Sequence, residues 1–183
     1  MTGVRYGRRI TAAQNQSVIE GSVNGAPASI QPLDSSDAEA LHEFLTNLPA
    51  GWLQYFQPHP FDRAGLEKVL RSQAFMNYGL YVDSQIAGYA LLKVAPTGSA
   101  FIGLLVHPQY GRLGLGKFIV AFLYWQASLA GLRTRSTISR HNPGSLKSHQ
   151  AVADYQVVAE LPNDYLMIEF PSVPRERPEL NLG

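Results

Sequence analysis

A chain of 183 residues, 45% hydrophobic and 16% charged, is long enough for one globular domain with its own core. It contains no cysteine, which excludes disulfides, thiolate metal ligands and a cysteine nucleophile. A formal net charge of +1 argues against electrostatically driven nucleic-acid binding, which calls for a basic face and a high pI.

Residues 1–29 are rich in Gly, Ser, Asn and Ala and read as an extended N-terminal arm or hairpin. The basic start, Met1 to Arg9, has no apolar segment behind it, so no secretory signal is expected. Ile30 to Leu33 predicts a first strand. Asp34, Ser35 or Ser36 can then cap a helix running to about Leu48, with Ala38, Leu41, Phe44, Leu45 and Leu48 on one face. The stretch from Pro49 to Asp62 is aromatic and broken by prolines. Stiff aromatic loops lie at the surface and carry binding groups, so Trp52, Tyr55, Phe56 and His59 are candidate substrate-binding residues.

Asp62 can cap a second helix, from about Arg63 to Phe75, marked by Leu66, Val69 and Leu70. Tyr78–Val82 and Gly88–Val94 flank a hairpin signal at Asp83-Ser84-Gln85, and Ala100–Val106 follows the turn from Pro96 to Ser99. These three runs predict an antiparallel meander. Pro108 stops the third run, and after Gly116 the period changes: Leu115, Phe118, Ile119, Phe122, Trp125 and Leu129 recur at helical steps until Gly131. The apolar part of this helix carries Gln126 and Ser128 and is too short to span a bilayer, so a soluble, cytoplasmic protein is expected, without a membrane partner.

Arg133–Ser139 reads as a strand parallel to 100–106, because a helix joins them. Arg140 to Ser145 is a turn opening a helix, Tyr155–Leu161 and Tyr165–Phe170 are closing strands, and residues 171–183 read as a flexible C-terminal tail. No internal repeat divides residues 30–170, which form the predicted domain.

The strand, glycine-rich turn and helix around Gly111, Gly114 and Gly116 form an anion site by composition. Glycines let backbone approach a ligand, and the first amides of a helix point at it unpaired. A dinucleotide fingerprint would need its one-residue gap before its two-residue gap. A nucleotide-triphosphate loop would need Ser or Thr where Phe118 stands. The run from Val106 to Lys117 instead resembles the acetyl-CoA pyrophosphate loop of the GCN5-related N-acetyltransferases, the GNAT superfamily, with Gly111 where the family has Gln or Arg and Arg112 one place later. A second block, Asn142-x-x-Ser145 leading through a helix to His149, is similar to the family's Asn-to-tyrosine segment, with His149 at the tyrosine position and Ala153-Asp154-Tyr155 replacing a Gly-Phe pair.

This resemblance implies an α/β (α+β) fold with a mixed, mostly antiparallel central sheet, a parallel splayed strand pair, and helices on both faces. It implies acetyl-CoA as co-substrate, held by Leu104, Leu105, Val106, Arg112, Leu113, Gly114, Leu115, Gly116, Lys117, Asn142, Ser145 and Ser148. His149 would be the acid that protonates the departing thiolate. The strand before the glycine loop carries no carboxylate, so proton removal from the amine falls to water, His59, Asp62 or His141. His107 adjoins the site as a lesser candidate. The five histidines, at 42, 59, 107, 141 and 149, lack ligand spacing, and no metal is implied.

The expected activity is direct transfer of acetyl to a primary amine of a small molecule, with an amino sugar among the candidates, by a monomer or homodimer. The alternatives are a peptide or protein N-terminus as acceptor, and a non-catalytic acyl-CoA-binding sensor.

Overall fold

The computed structural model describes residues 3–183. It contains α1 (Gly3–Gln14), β1 (Ile19–Val23), β2 (Ala26–Pro32), α2 (Ala38–Thr46), α3 (Arg63–Arg71), β3 (Phe75–Val82), β4 (Gln85–Val94), β5 (Ser99–Val106), α4 (Leu115–Leu129), β6 (Arg133–Ser139), α5 (Pro143–Gln150), β7 (Gln156–Leu161), β8 (Tyr165–Glu169) and β9 (Asn181–Leu182). The strands form one sheet in the order β7-β8-β6-β5-β4-β3-β2-β1-β9. Its neighbours are antiparallel except β5–β6 and β1–β9. The antiparallel meander β3-β4-β5 and the parallel crossover through α4 are those expected from the sequence.

Alternation along the strands builds two cores, because successive side chains point to opposite faces. Tyr78, Ala90 and Leu92 face α4 and α1, while Tyr89, Leu91 and Leu105 face α2 and α3. Helix α4 is buried almost all round, from Leu115 and Phe118 to Trp125, Gln126 and Ala127. Its apolar composition follows from having the sheet on one side and other elements on the next. Local signals set the shorter helices. Asp34 forms a reciprocal capping box with Asp37 ahead of α2, and Asp62 caps α3 by accepting from the Gly65 amide at 3.3 Å. Among the described residues no helix is long and apolar enough to cross a membrane.

Two expectations need correction. Residues 3–14 are helical rather than extended; Ile10 and Ala13 are buried against the α4 side of the sheet, and that tertiary contact outweighs the poor local propensity of this Gly- and Thr-containing segment. The first two residues of the predicted arm lie outside the described residues. The C-terminal segment is not a free tail either. Leu180 is 1% exposed, and Asn181–Leu182 pair with β1, because the unpaired edge of β1 offers amides that accept a further strand.

Inside the larger core the Tyr78 hydroxyl donates to Gln126 Oε1 at 2.9 Å, while Gln126 Nε2 has no partner. Removing one member of such a pair leaves the other buried and unpaired, whereas removing both does not. Tyr78→Phe should therefore lower stability by about 1–3 kcal/mol. Tyr78→Phe combined with Gln126→Leu should recover most of that loss in equilibrium urea unfolding. Additive losses in the double variant would mean that the pair is not coupled.

Candidate active site

Strands β5 and β6 pair only from Ser99–Arg133 to Phe101–Arg135, and beyond that point they part. The far edge of β6 stays paired with β8 from Arg135 to Ser139, so its near edge is left open. The gap is the floor of a cleft of about 640 Å³ that runs from the loop at 51–56 to the start of α4. The His107 amide donates to Ala87 O at 2.8 Å, which turns the backbone of Leu105 and Gly103 toward β4 as well. Because strand backbone groups alternate between edges, those of Leu104 and Val106 face the cleft. Leu105 contributes its side chain to the wall rather than its amide.

The far end of the cleft is the glycine turn. Gly114, the residue ahead of α4, has φ 85° and ψ 4°, a left-handed conformation that glycine adopts without penalty. No side chain caps α4, so its first amides are free toward the cleft. Gly116 has a different reason to be glycine: an added Cβ would come within 2.8 Å of Ser148 Oγ, so the missing side chain lets α4 approach α5. The same turn holds a local strain. Arg112 has φ 64°, in the left-handed region, while its neighbour Gly111 sits at φ −59°, where any residue is comfortable. The glycine and the arginine thus stand in each other's preferred places.

The cleft brings together most of the expected residues: Leu104, Leu105, Val106, Arg112, Gly114, Leu115, Gly116, Lys117, Asn142, Ser145, Ser148 and His149, with Trp52, Tyr55 and Phe56 over its other end. Leu113 is not among the lining residues and packs against the main core. Sequence reasoning missed Ser136, Thr137 and Ser139 on the β6 wall, although a run of small hydroxyl residues on the strand after the crossover was the available signal.

The aromatic loop is pinned across the gap. Trp52 Nε1 donates to Val106 O at 2.9 Å, and the Tyr55 hydroxyl donates to His141 O at 3.3 Å, one bond to each side of the splayed pair. Trp52 and Tyr55 keep exposures of 44% and 40%, whereas Phe56 is buried against Phe61 and Tyr89 and serves partly as core.

Each of the five expected acid–base candidates has a hydrogen-bond partner of its own. His59 does not line the cleft. Its ring contacts Pro60 O at 2.8 Å and the Tyr89 hydroxyl at 2.9 Å, with edges on Phe61 and Phe75, and so anchors the loop. Burial holds its pKa below the ordinary imidazole value. His149 does border the cleft, but it is 1% exposed and stacked on Phe170 with 7° between the rings. Its Nδ1 lies 2.8 Å from Ser145 O, and a carbonyl only accepts, so Nδ1 carries the proton and Nε2 of the neutral ring is a bare acceptor. Burial again lowers its pKa, so the ring is a poor proton donor near neutral pH. His107 accepts from the Gln109 amide at 3.2 Å and caps a turn. Asp62 is committed to its helix cap, and His141 pairs with Asp164 at 3.1 Å on the surface.

The sequence model of the acetyltransferase (GNAT) family matches residues 38–153, more than half of the chain. No curated protein matches the sequence. Among solved structures the chain is similar to the GNAT domain of S. lividans PAT, with TM-score 0.72 and 14% identity over 84% of this chain and 96% of that one. It is also similar to the PaiA N-acetyltransferase from Thermoplasma acidophilum in complex with coenzyme A, with TM-score 0.62 and 18% identity over 78% and 97%. A third is the ribosomal-protein-S5-alanine acetyltransferase from Vibrio fischeri, with TM-score 0.64 and 15% identity over 78% and 91%.

Arg112 separates backbone from side chain. Arg112→Gly should be more stable than Arg112→Ala by about 1 kcal/mol, because only glycine relaxes the left-handed backbone. The two should lose equally in affinity for an anionic ligand of the cleft, and thermal melts with calorimetry read both. The buried histidines set a pH dependence. The folded pKa values of His59 and His149 lie below the unfolded value of 6.5, so both residues favour the folded state above 6.5. That stability is lost as the pH falls from 6.5 through the folded values, because the unfolded chain takes up the protons first. His149→Phe should flatten the decline in urea midpoint between pH 7 and pH 5.

Proposed function

This chain belongs to the acetyltransferase (GNAT) family, and from that premise we propose that it transfers the acetyl group of acetyl-CoA directly to a primary amine of a small molecule, such as an amino sugar. The observation that carries the reading is the cleft. It opens between two strands that part after Phe101 and Arg135, and it ends at unpaired helix amides beside Gly114. Those amides, with Arg112 and Lys117, suit a pyrophosphate, and the wall of Leu104, Val106, Asn142, Ser145 and Ser148 suits a long polar thioester arm. PaiA N-acetyltransferase, of the same fold, was crystallised with coenzyme A, which supports the assignment.

The cleft-facing backbone amides of Leu104 and Val106 are the donors for the carbonyl oxygen that gains charge when the amine attacks. Within the cleft no carboxylate is among the lining residues, and His59, Asp62, His107 and His141 are engaged elsewhere, so the amine proton passes to water. The thiolate leaves without help from His149, which is reasonable for a leaving group whose thiol pKa lies near 8.5. Trp52 and Tyr55 offer exposed rings, pinned at both ends of the loop, on which the ring of an acceptor can stack.

Thiol release from acetyl-CoA across a panel of amino sugars, other small amines and peptides tests the reading. CoA that binds while no amine releases thiol would turn the protein into a sensor, and turnover with peptides alone would move the acceptor class. With the best acceptor, Tyr55→Ala should raise its KM several-fold and leave CoA affinity unchanged. An unchanged KM would return Tyr55 to a purely structural role.

A further inference from the structure

The floor of the cleft has a second edge, and it belongs to β6. On the β5 side the Arg133 amide donates to Gly98 O at 2.9 Å, and on the β8 side Thr134 O accepts from the Phe170 amide at 2.9 Å. Backbone groups of successive strand residues point to opposite edges, so the N–H and C=O of Thr137 point toward β5. The pairing with β5 stops at Arg135, and these two groups look into the gap without a strand partner. Thr137 lines the cleft at that point.

The side chain of Thr137 is placed by the same register. Phe101 and Arg135 are partners in a parallel pair, which puts Thr137 on the face of Phe101 and Leu105. Leu105 packs with Phe56 of the aromatic loop, whereas Ile138 belongs to the core under α4. The Thr137 side chain is exposed between the buried Ser136 and Ile138, on the side where Tyr55 reaches His141 O. Ser139 Oγ already accepts from the His141 amide at 3.2 Å, while the Thr137 hydroxyl makes no hydrogen bond among the described residues. Carried onward, the register sets Thr137 across the gap from Gly103, one residue ahead of Leu104.

We propose that Thr137 receives the acceptor amine and thereby selects primary over secondary amines, an inference that rests on the transferase reading above. A neutral primary amine has two N–H bonds and one lone pair. Thr137 presents two acceptors to it, the main-chain carbonyl on the open edge and the hydroxyl oxygen on the loop side. With both N–H bonds held there, the lone pair is left to attack the thioester carbon whose oxygen lies at the Leu104 amide. The C–N bond forms, the C–S bond breaks, the thiolate leaves, and a proton on nitrogen passes to water. No carboxylate lines the cleft, so neutral oxygens of this kind are what an amine donates to. A secondary amine has a single N–H, and its extra substituent would leave one of the two acceptors without a donor.

Thiol release with the fastest small primary amine, and with its N-methyl derivative, tests this on the full-length protein. Thr137→Val keeps the β-branched shape and removes the hydroxyl. Its kcat/KM for the primary amine should fall about tenfold, the order of one hydrogen bond, while that for the N-methyl amine barely moves. The preference of the wild type for the primary amine is thereby largely lost, and CoA affinity by calorimetry stays unchanged. Thr137→Ser, which keeps the hydroxyl, should restore the preference. Partial unfolding lowers both rates alike and cancels from their ratio. An unchanged ratio in Thr137→Val, or a wild type that takes the N-methyl amine equally well, would overturn the role of Thr137 and leave the transferase reading standing. Thiol release with no amine at all would sink the transferase reading and this role with it. If only peptides turn over, a peptide and its N-methylated form decide the question in the same way.

Discussion

The parting of β5 from β6 after Phe101 and Arg135 is the constraint on which the other features of the site depend. A parallel pair that stopped hydrogen bonding inside a sheet would leave unpaired backbone at a cost, unless something else satisfied it. The protein meets that demand from two directions. The far edge of β6 is bonded to β8 along its length, and on the open side Trp52 reaches in to occupy Val106 O. The remaining groups are what a ligand finds. The cleft is therefore a consequence of sheet pairing that was left unfinished.

The elements around the cleft are held by contacts that cross it or run behind it. Tyr55 ties the aromatic loop to the turn after β6, and Trp52 ties it to the end of β5, so the loop spans the gap as a bridge. Behind α5, His149, Phe170 and Tyr124 stack in sequence, with the Arg175 guanidinium closing the column. That column explains why a histidine is accommodated at the pocket wall. Its ring is packed as an aromatic plate, and its Nδ1 proton is satisfied by the helix carbonyl of Ser145. The Nε2 lone pair is buried without a partner among the described residues, a modest penalty offset by the ring packing on Phe170.

The histidines show the same principle elsewhere. His59 sits in a chain of contacts through the Tyr89 hydroxyl to Asn77 Oδ1 and on to Val69 O, beneath the loop and away from the reacting groups. Such a buried polar chain fixes where the loop leaves the sheet, because each group left unpaired there would lose its hydrogen bond without gaining water. No carboxylate is among the residues lining the cleft, so the transfer we propose relies on backbone amides and on positioning.

Much of this was legible in the sequence, because it rests on local rules. The turn signals at Asp83-Ser84-Gln85 and from Pro96 to Ser99 marked out the meander, the change to a three- and four-residue step gave α4, Asp34 and Asp62 gave the caps, and three glycines in six residues marked the turn. The sequence by itself determined the type and order of these elements and the place of the glycine turn, since propensity, periodicity and chain chirality act over short distances. Only the tertiary structure decided what depends on contacts between distant segments. It made a helix of residues 3–14, docked Leu180 and Leu182 on β1, buried His149 behind Phe170, and set His59 on Tyr89 rather than in the cleft. It also separated the reasons for two glycines that look alike in sequence: Gly114 for its left-handed backbone, and Gly116 for the close passage of Ser148. A histidine next to a site and a histidine in its supporting wall have the same local sequence signature. What distinguishes them is which carbonyl lies within 3 Å of the ring, and that is fixed only when the packed elements meet.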